Sequence, residues 1–338
     1  YWLKARAAGQ ADTLWKYSLN ETAALANRFT KLDRIPDTHM DGLVYAYHFD
    51  ASLFAAYLRE YSEKRGVVRT IERLSGQPYL QRLYETYRES LTDEPFFAAA
   101  VKLLNLDVEF SSAHLAQIPE TGPLVVVANH PFGVLDGLLI SWLISLRRKD
   151  FKVLTNAVLD GAPEAREWLL PIDFAPTKEA RATNIATRAE CLERLGAGEC
   201  IIVFPAGGVS TSPTPFYRAA VDDTWKPFTA KLITRSGAHV TPVFFEGQNS
   251  RLFQWASHVS IELRLALIFR EVKRRVGTAI PVHIGETLTP ETLASAGKRH
   301  ELMNFLRDQT YSMAPSAQQR SIAKAQAKFD AAKPAIFH

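Results

Sequence analysis

The segment LVVVANHPFGVLDG (Leu124–Gly137) places a short apolar run directly before a turn and a helical pattern. A short continuous run of this kind is typical of a strand that is buried on both faces of a parallel sheet. Pro131 and Gly133 favour a tight turn, and Asp136 follows where a helix would begin. The segment therefore predicts a strand whose end carries His130.

Similar apolar runs alternate with helical patterns from about Ile71 onward. Predicted strands are Leu124–Ala128, Lys152–Thr155, Cys200–Phe204, Val240–Phe245 and Ile280–Ile284, and predicted helices are 76–90, 94–104, 137–148, 163–169, 179–196, 225–236 and 290–312. This alternation predicts an α/β fold with a mostly parallel central sheet flanked by helices. Active sites of such sheets lie at the carboxyl ends of the strands, where His130 is expected.

The two ends of the chain follow other patterns. Residues 1–73 contain helical patterns without strand alternation and predict a helical N-terminal appendage. Residues 314–338 are rich in Ala, Gln and Lys and predict a frayed or weakly helical tail. The α/β domain is therefore expected over residues 74–313.

Composition and charge restrict the classes of partner. With 47% hydrophobic and 22% charged residues, the 338-residue chain has an ordinary globular balance. Its net charge of +4 is scattered along the sequence, so we expect no nucleic-acid partner and a mild attraction to anionic lipid. Cys191 and Cys200 have no further ligands at metal-binding spacing, so we expect two inert core thiols and no metal site.

His130 and Asp136 are the first candidates for catalytic chemistry. A histidine can accept a proton near neutral pH when a carboxylate fixes its tautomer and stabilises the imidazolium. The turn can fold Asp136 back onto His130, and no covalent nucleophile lies nearby in the sequence, which suits direct attack by the acceptor. The alternative is that Asn129 and His130 form hydrogen bonds at a strand end while Asp136 only caps a helix.

Two further segments end in turn residues. IIVFPAGGVS (Ile201–Ser210) runs into Gly207 and Gly208, whose backbone N–H groups could hold a phosphate or a developing oxyanion. A purely structural Gly–Gly turn is the alternative. TPVFFEGQNS (Thr241–Ser250) ends in a polar stretch that either forms the wall of a pocket or terminates a strand.

These three segments resemble, in order and approximate spacing, the sequence blocks of the glycerophospholipid acyltransferase superfamily. NHPFGVLDG, FPAGGVS and PVFFEGQNSRLF are most similar to the bacterial branch historically named hemolysin, which includes lyso-ornithine lipid acyltransferase-like proteins. The resemblance covers about residues 71–311. It implies a lipid-biosynthetic acyltransferase domain over residues 74–313.

The resemblance also implies site residues and substrates. His130 would be the general base on the acceptor hydroxyl, and Asp136 would orient it. Residues expected to bind substrate are Asn129, Gly133, Phe204, Pro205, Ala206, Gly207 and Gly208. The acyl donor would be a thioester on acyl carrier protein or coenzyme A, with no other cofactor.

The chain departs from the common superfamily pattern in both blocks. Five residues rather than four separate His130 from Asp136, as in the hemolysin-named branch. Ala206 and Val209 stand where the headgroup block usually carries Glu and Arg. These differences favour a lyso-ornithine-type aminolipid or another lysolipid as acceptor, and a lysophosphatidate-like acceptor is the alternative.

A lipid acceptor requires access to a membrane. The apolar helix after Asp136 has about eleven residues, too few to span a bilayer, so we expect it in the core, with an interfacial position as the alternative. We expect attachment through another surface, near Arg251–Trp255. The enzyme would therefore be cytoplasmic and peripheral at the inner face of the cytoplasmic membrane.

Residues 1–73 resemble a different family. GLVYAYHFDASLFAAYLREYSEKRGV (Gly42–Val67) is similar to an internal piece of a flavin-dependent tryptophan halogenase. The glycine motif and catalytic lysine of that family lie upstream of this piece, so no flavin site is expected and we interpret it as a fused or misjoined appendage. The alternative functions are an inactive halogenase remnant and a membrane-active, hemolysin-like protein.

Overall fold

The computed structural model describes residues 76–90, 93–156, 163–173, 177–259 and 261–331. All of them fall in the compact unit Gly66–His338. The predicted helical appendage, residues 1–73, lies outside the described residues and stays a prediction.

Seven strands form one sheet. They are β1 (Asp107–Glu109), β2 (Leu124–Ala128), β3 (Phe151–Asn156), β4 (Leu169–Ile172), β5 (Cys200–Val203), β6 (His239–Phe245) and β7 (Ala279–Ile284). Their spatial order is β1-β7-β6-β2-β5-β3-β4. The five strands from β6 to β4 pair in parallel, whereas β7 is antiparallel to β6 and pairs in parallel with β1. The predicted mostly parallel α/β sheet is confirmed.

Helices lie before, between and after these strands. They are α1 (Gln77–Ser90), α2 (Phe96–Leu103), α3 (Ser112–Ala116), α4 (Val134–Ser145), α5 (Lys178–Gly196), α6 (Phe228–Ser236), α7 (Arg251–Val259), α8 (Ile261–Arg275), α9 (Pro290–Ser295), α10 (His300–Ser312) and α11 (Ser316–Ala331), with a 3₁₀ helix at Pro163–Trp168.

Strand β2 lies at the centre of the core. Its residues are fully buried, and alternate side chains point to opposite faces of the sheet. Val126 packs in a cluster with residues of α2 and α4, while Val125 and Val127 pack in another with residues of α5, α6 and α10. Helices therefore cover β2 on both faces, which explains why its sequence is continuously apolar.

Several elements differ from the sequence prediction. β1 and β4 are edge strands of three and four residues, too short for a periodic pattern to reveal. The predicted helix 163–169 is a 3₁₀ helix that ends before β4. The predicted helix 290–312 is two helices, because Gly297 and Arg299 have positive φ angles of 99° and 46°.

The C-terminal tail is more ordered than its composition predicts. Residues 316–331 form the 16-residue helix α11, in which Ile322 and Ala325 are buried. They pack in a cluster with Phe244 and Tyr311, so contacts with distant parts of the chain stabilise a segment with little pattern of its own. Residues 332–338 lie outside the described part of the chain.

The predicted burial of the apolar helix is confirmed for α4. The helix begins at Val134, three residues earlier than predicted, so Asp136 is its third residue. Leu135, Leu139 and Leu143 are buried against the sheet in the cluster that contains Val126. The helix is therefore a core element that fixes the loop preceding it.

We expect Leu139→Ala to lower the free energy of unfolding by about 2–5 kcal/mol, because it removes a fully buried side chain and leaves a cavity. Chemical denaturation measures this loss. The matched control is Leu146→Ala just after α4, where the side chain is 49% exposed and little change is expected. Equal losses in both variants would contradict the assignment of α4 to the core.

Candidate active site

Three loops meet at one edge of the sheet. β2 pairs in parallel with both β5 and β6, so the carboxyl ends of the three strands are neighbours. The loops that follow are 129–133, 204–210 and 246–250. The three segments that the sequence singles out are therefore brought together.

His130 and Asp136 form a close pair in the first loop. His130 Nδ1 lies 2.9 Å from Asp136 Oδ2, and the Asp136 side chain is fully buried while that of His130 is 18% exposed. The backbone N–H groups of Phe132 and Gly133 donate to the same Oδ2 at 2.8 and 2.9 Å. Gly133 has a φ of 84°, which allows the turn that folds Asp136 back onto its own loop.

Burial and the polar neighbours of Asp136 act on its pKa in opposite directions, and burial has the larger effect. Burial raises the pKa of Asp136 above its ordinary value, while the contact with His130 and the N–H donors of Phe132 and Gly133 act in the opposite direction. If His130 takes up a proton, its imidazolium lies directly against the carboxylate of Asp136. Because that carboxylate is fully buried, solvent does not weaken the attraction between the two charges. This arrangement can stabilise an imidazolium.

The opposite side of the imidazole is available for chemistry. The His130 ring stacks on Phe204, with 4.1 Å between ring centroids and 27° between the planes. Because Nδ1 faces Asp136, Nε2 is the nitrogen left for a substrate. Phe204 thus contacts the candidate catalytic residue directly.

The glycine turn reaches the surface beyond Phe204. Pro205 and Ala206 are buried, whereas Gly207 and Gly208 are exposed, and Gly207 has a φ of 73°. Ser210 N–H then donates to His130 O at 2.8 Å. The second loop is therefore held to the first at both ends of the turn.

The predicted residues Asn129 and Gly133 have structural contacts. The Asn129 amide donates to Phe245 O at 3.0 Å and accepts from Phe245 N–H at 2.7 Å, which joins β2 to the end of β6. Gly133 has a φ of 84°, which other residues rarely adopt, and a β-carbon there would lie 2.6 Å from Ile268 Cδ1, so a substitution would be strained. A direct role of either residue in substrate binding stays a prediction.

The third loop follows the end of β6 at Phe245 and lines cavities, so its polar stretch both terminates a strand and forms the wall of a pocket. Gln248 lines two cavities of about 620 and 410 Å³. Gly247 packs against Phe132, and Arg275 lies 4.4 Å above the Phe132 ring while donating to Gln248 O at 2.8 Å. These contacts fix the loop that carries His130 from its outer side.

Asp222 is a second buried carboxylate at the site, which sequence reasoning missed. Its Oδ1 accepts from His130 N–H at 3.1 Å and from Ser210 Oγ at 2.5 Å, and its Oδ2 accepts from Trp225 Nε1 at 2.9 Å. Its own N–H donates to Tyr311 Oη at 2.8 Å. Asp222 therefore connects the His130 loop, the glycine-turn loop and α10.

The irregular segment between Thr211 and Val221 explains why the sequence does not indicate Asp222. Thr211 and Val221 form an isolated bridge with two backbone hydrogen bonds of 3.0 and 3.1 Å, which returns the chain to Ser210. The residues between the bridge partners have no regular pattern that would indicate this return.

The cysteines contribute no reactive thiol. Cys191 and Cys200 are both free and buried, as predicted, and burial raises the pKa of each to about 12. In the described part of the chain, no group of three or more His, Cys, Asp or Glu side chains is arranged to hold a metal ion.

We expect Asp222→Asn to lower the free energy of unfolding by about 2 kcal/mol. The amide NH₂ would replace a carboxylate oxygen that now accepts a hydrogen bond, so two donors would face each other. Urea denaturation measures the loss. Asp223→Asn is the matched control at the next residue, which is exposed, and should be within about 0.5 kcal/mol of the native chain. A neutral Asp222→Asn variant would contradict the role of this network.

Family models and known proteins match parts of this chain. The family model described as Acyltransferase matches residues 53–319, and the model described as Tryptophan halogenase matches residues 1–78. A lyso-glycine lipid O-acyltransferase from Phocaeicola vulgatus is 21% identical over 225 residues, which is 64% of this chain and 77% of the relative. The crystal structure of the 1-acyl-sn-glycerophosphate (LPA) acyltransferase PlsC from Thermotoga maritima has a TM-score of 0.40 and 18% identity, covering 81% of this chain and 87% of that chain. Because the acyltransferase model matches well over half of the chain, this protein belongs to the acyltransferase family, as its sequence blocks predict.

Proposed function

We propose that this protein transfers a fatty acyl group from an acyl thioester to the hydroxyl group of a lysolipid. The observation that carries the proposal is the 2.9 Å contact between His130 Nδ1 and buried Asp136 at the carboxyl edge of the sheet. Membership of the acyltransferase family supports the reaction class. The relative from P. vulgatus, named for O-acyl transfer to a lyso-glycine lipid, supports a lysolipid acceptor.

The first step is general-base catalysis by His130. Its Nε2 accepts the proton of the acceptor hydroxyl while the hydroxyl oxygen attacks the carbonyl carbon of the thioester. The new C–O bond forms and the carbonyl π electrons move to oxygen, which gives a tetrahedral oxyanion. Asp136 stabilises the resulting imidazolium through Nδ1.

The second step releases the thiol. The oxyanion collapses to the ester carbonyl, the C–S bond breaks, and the departing sulfur takes the proton from His130 Nε2. The exposed glycine turn supplies room for the acceptor headgroup, and Gly208 N–H is our candidate donor to the oxyanion, because Gly207 N–H already donates to Phe204 O at 3.0 Å. Histidine ends the cycle neutral, so no covalent enzyme intermediate is required.

The substrates follow from the same site. We propose an amino-acid lysolipid as acceptor, because the glycine turn carries Ala206 and Val209 instead of charged side chains. The donor is acyl carrier protein or coenzyme A charged with a fatty acid. Assays with each donor and a panel of lysolipids, with products identified by mass, distinguish these possibilities.

We expect His130→Ala to lower kcat for acyl transfer by about 10²–10⁴-fold, because the hydroxyl loses its proton acceptor. Initial rates with labelled acyl thioester and lysolipid measure the loss. His114→Ala in α3 is the matched control, since His114 is exposed and lies on a different element. A His130→Ala variant that retains the native rate would contradict the mechanism.

We also propose that the enzyme binds the surface of an anionic membrane through α7. Leu252, Trp255 and Val259 are exposed and share one helix face, since their spacing is three and four residues. Phe216, 86% exposed, lies in the loop to which Arg251 donates hydrogen bonds at Tyr217 O and Pro215 O. Exposed apolar side chains at one surface are typical of interaction sites.

Basic residues next to this face favour anionic lipid. The 620 Å³ cavity is lined by Arg251, Leu252, Arg270 and Arg274, and the acidic Glu271 pairs with only two of the three arginines. None of the described helices is long and apolar enough to cross a membrane. Attachment at the inner face of the cytoplasmic membrane would bring the site to its lipid acceptor and its thioester donor.

We expect the double variant Leu252→Ser, Trp255→Ser to reduce the fraction bound to anionic vesicles about tenfold or more, because each side chain contributes about 1.5–3 kcal/mol when buried in lipid. Flotation at low salt measures the bound fraction. Ile185→Ser on α5, another exposed apolar position, is the control and should bind like the native chain. Native protein that stays in the lipid-free fraction, or an equal loss in the control, would contradict this surface.

A further inference from the structure

Helix α8 places an arginine against the glycine turn. Arg264 Nη2 donates to Val209 O at 2.6 Å, and a β-carbon on Gly208 would lie 3.8 Å from that nitrogen. Ile268, one helical turn further along α8, packs against Gly133 in the His130 loop. One face of α8 therefore covers both loops of the candidate active site.

The charge of Arg264 has little compensation within the described residues. No carboxylate described here lies within ion-pair distance of it; its contacts are the Val209 carbonyl and the ring of Phe253 at 5.7 Å. Burial lowers the pKa of Arg264 below its ordinary value. A partly buried guanidinium without a carboxylate is unfavourable, so an anionic ligand would be favoured at this position.

The turn beside Arg264 begins and ends at His130. Phe204 stacks on the imidazole at one end, and Ser210 N–H donates to His130 O at the other. Gly207 and Gly208 form the exposed apex between these contacts. A ligand that touches Arg264 at the apex is therefore within one short turn of the proposed general base.

We propose that Arg264 binds the carboxylate of an amino-acid lysolipid and thereby positions its hydroxyl at His130. This inference rests on the proposed acyl transfer. An amino acid that is acylated on its amino group keeps a free carboxylate, and glycine has no hydroxyl, so the acylated hydroxyl must lie on the N-acyl chain. A guanidinium binds a carboxylate through two parallel hydrogen bonds, which fixes the headgroup while the chain extends toward His130.

The acyl donor also carries anionic groups that an arginine could bind, namely the phosphates of coenzyme A or of a carrier-protein prosthetic group. We favour the acceptor, because, among the described residues, Arg264 lies alone beside the turn that joins Phe204 to Ser210, and both of these residues contact His130. The three arginines of the 620 Å³ cavity lie in a separate set of lining residues that does not include Arg264. Separate measurements of the KM for the acceptor and the KM for the donor show which of the two substrates supplies the anion.

The test compares N-(hydroxyacyl)glycine with its methyl ester in detergent micelles, where membrane binding plays no part. For the native enzyme we expect a KM for the ester about 10–100-fold higher than for the acid. Arg264→Gln should raise the KM for the acid by a similar factor, abolish the preference over the ester, and leave the donor KM nearly unchanged. Arg235→Gln, at an exposed position of α6, is the control and should keep the native preference.

Arg264→Lys keeps the charge and covers the case in which Arg264→Gln does not fold. It should retain a reduced preference for the acid, with a KM between those of the native enzyme and Arg264→Gln. Equal losses for acid and ester, or a raised donor KM with an unchanged acceptor KM, would overturn the inference while leaving acyl transfer intact. Native enzyme that acylates no lysolipid at all would overturn the proposed function, and this inference with it.

Discussion

The candidate active site of this protein depends on one buried carboxylate, Asp136, that is held by the backbone of its own loop. Two N–H groups, from Phe132 and Gly133, and the imidazole of His130 converge on a single oxygen of that carboxylate. A charged group without solvent is stable only when such partners surround it. The turn, the start of α4 and the orientation of His130 are therefore determined together.

The parallel sheet supplies the frame for this arrangement. β2 is buried on both faces, and its two neighbours end at the same edge, so the loops after β5 and β6 lie beside the His130 loop. A second buried carboxylate, Asp222, then joins the His130 and glycine-turn loops through His130 N–H and Ser210 Oγ. Burial raises the pKa of Asp222, and the donors that surround it oppose that effect. The His130 loop and the glycine-turn loop thus have little freedom to move without exposing a buried carboxylate.

The sequence predicts what is local and misses what depends on long-range contacts. The five predicted strands exist, most clearly β2 and β5, whose apolar runs are continuous and fully buried. The pairing of His130 with Asp136 could be inferred because one turn joins them. Asp222 and Arg264 lie 92 and 134 positions after His130, and only the fold brings Asp222 to His130 and Arg264 to the glycine turn. The burial of α11 likewise depends on Phe244 and Tyr311, which no pattern within the tail indicates.

The central claim is that Asp136 holds His130 in the tautomer that leaves Nε2 free. Long-range ¹H–¹⁵N correlation spectra of the histidine-labelled protein at neutral pH measure this directly. We expect His130 to be protonated at Nδ1 and unprotonated at Nε2, and we expect Asp136→Asn to disturb both signals. A His130 ring protonated at Nε2, or signals that do not respond to Asp136→Asn, would contradict the claim.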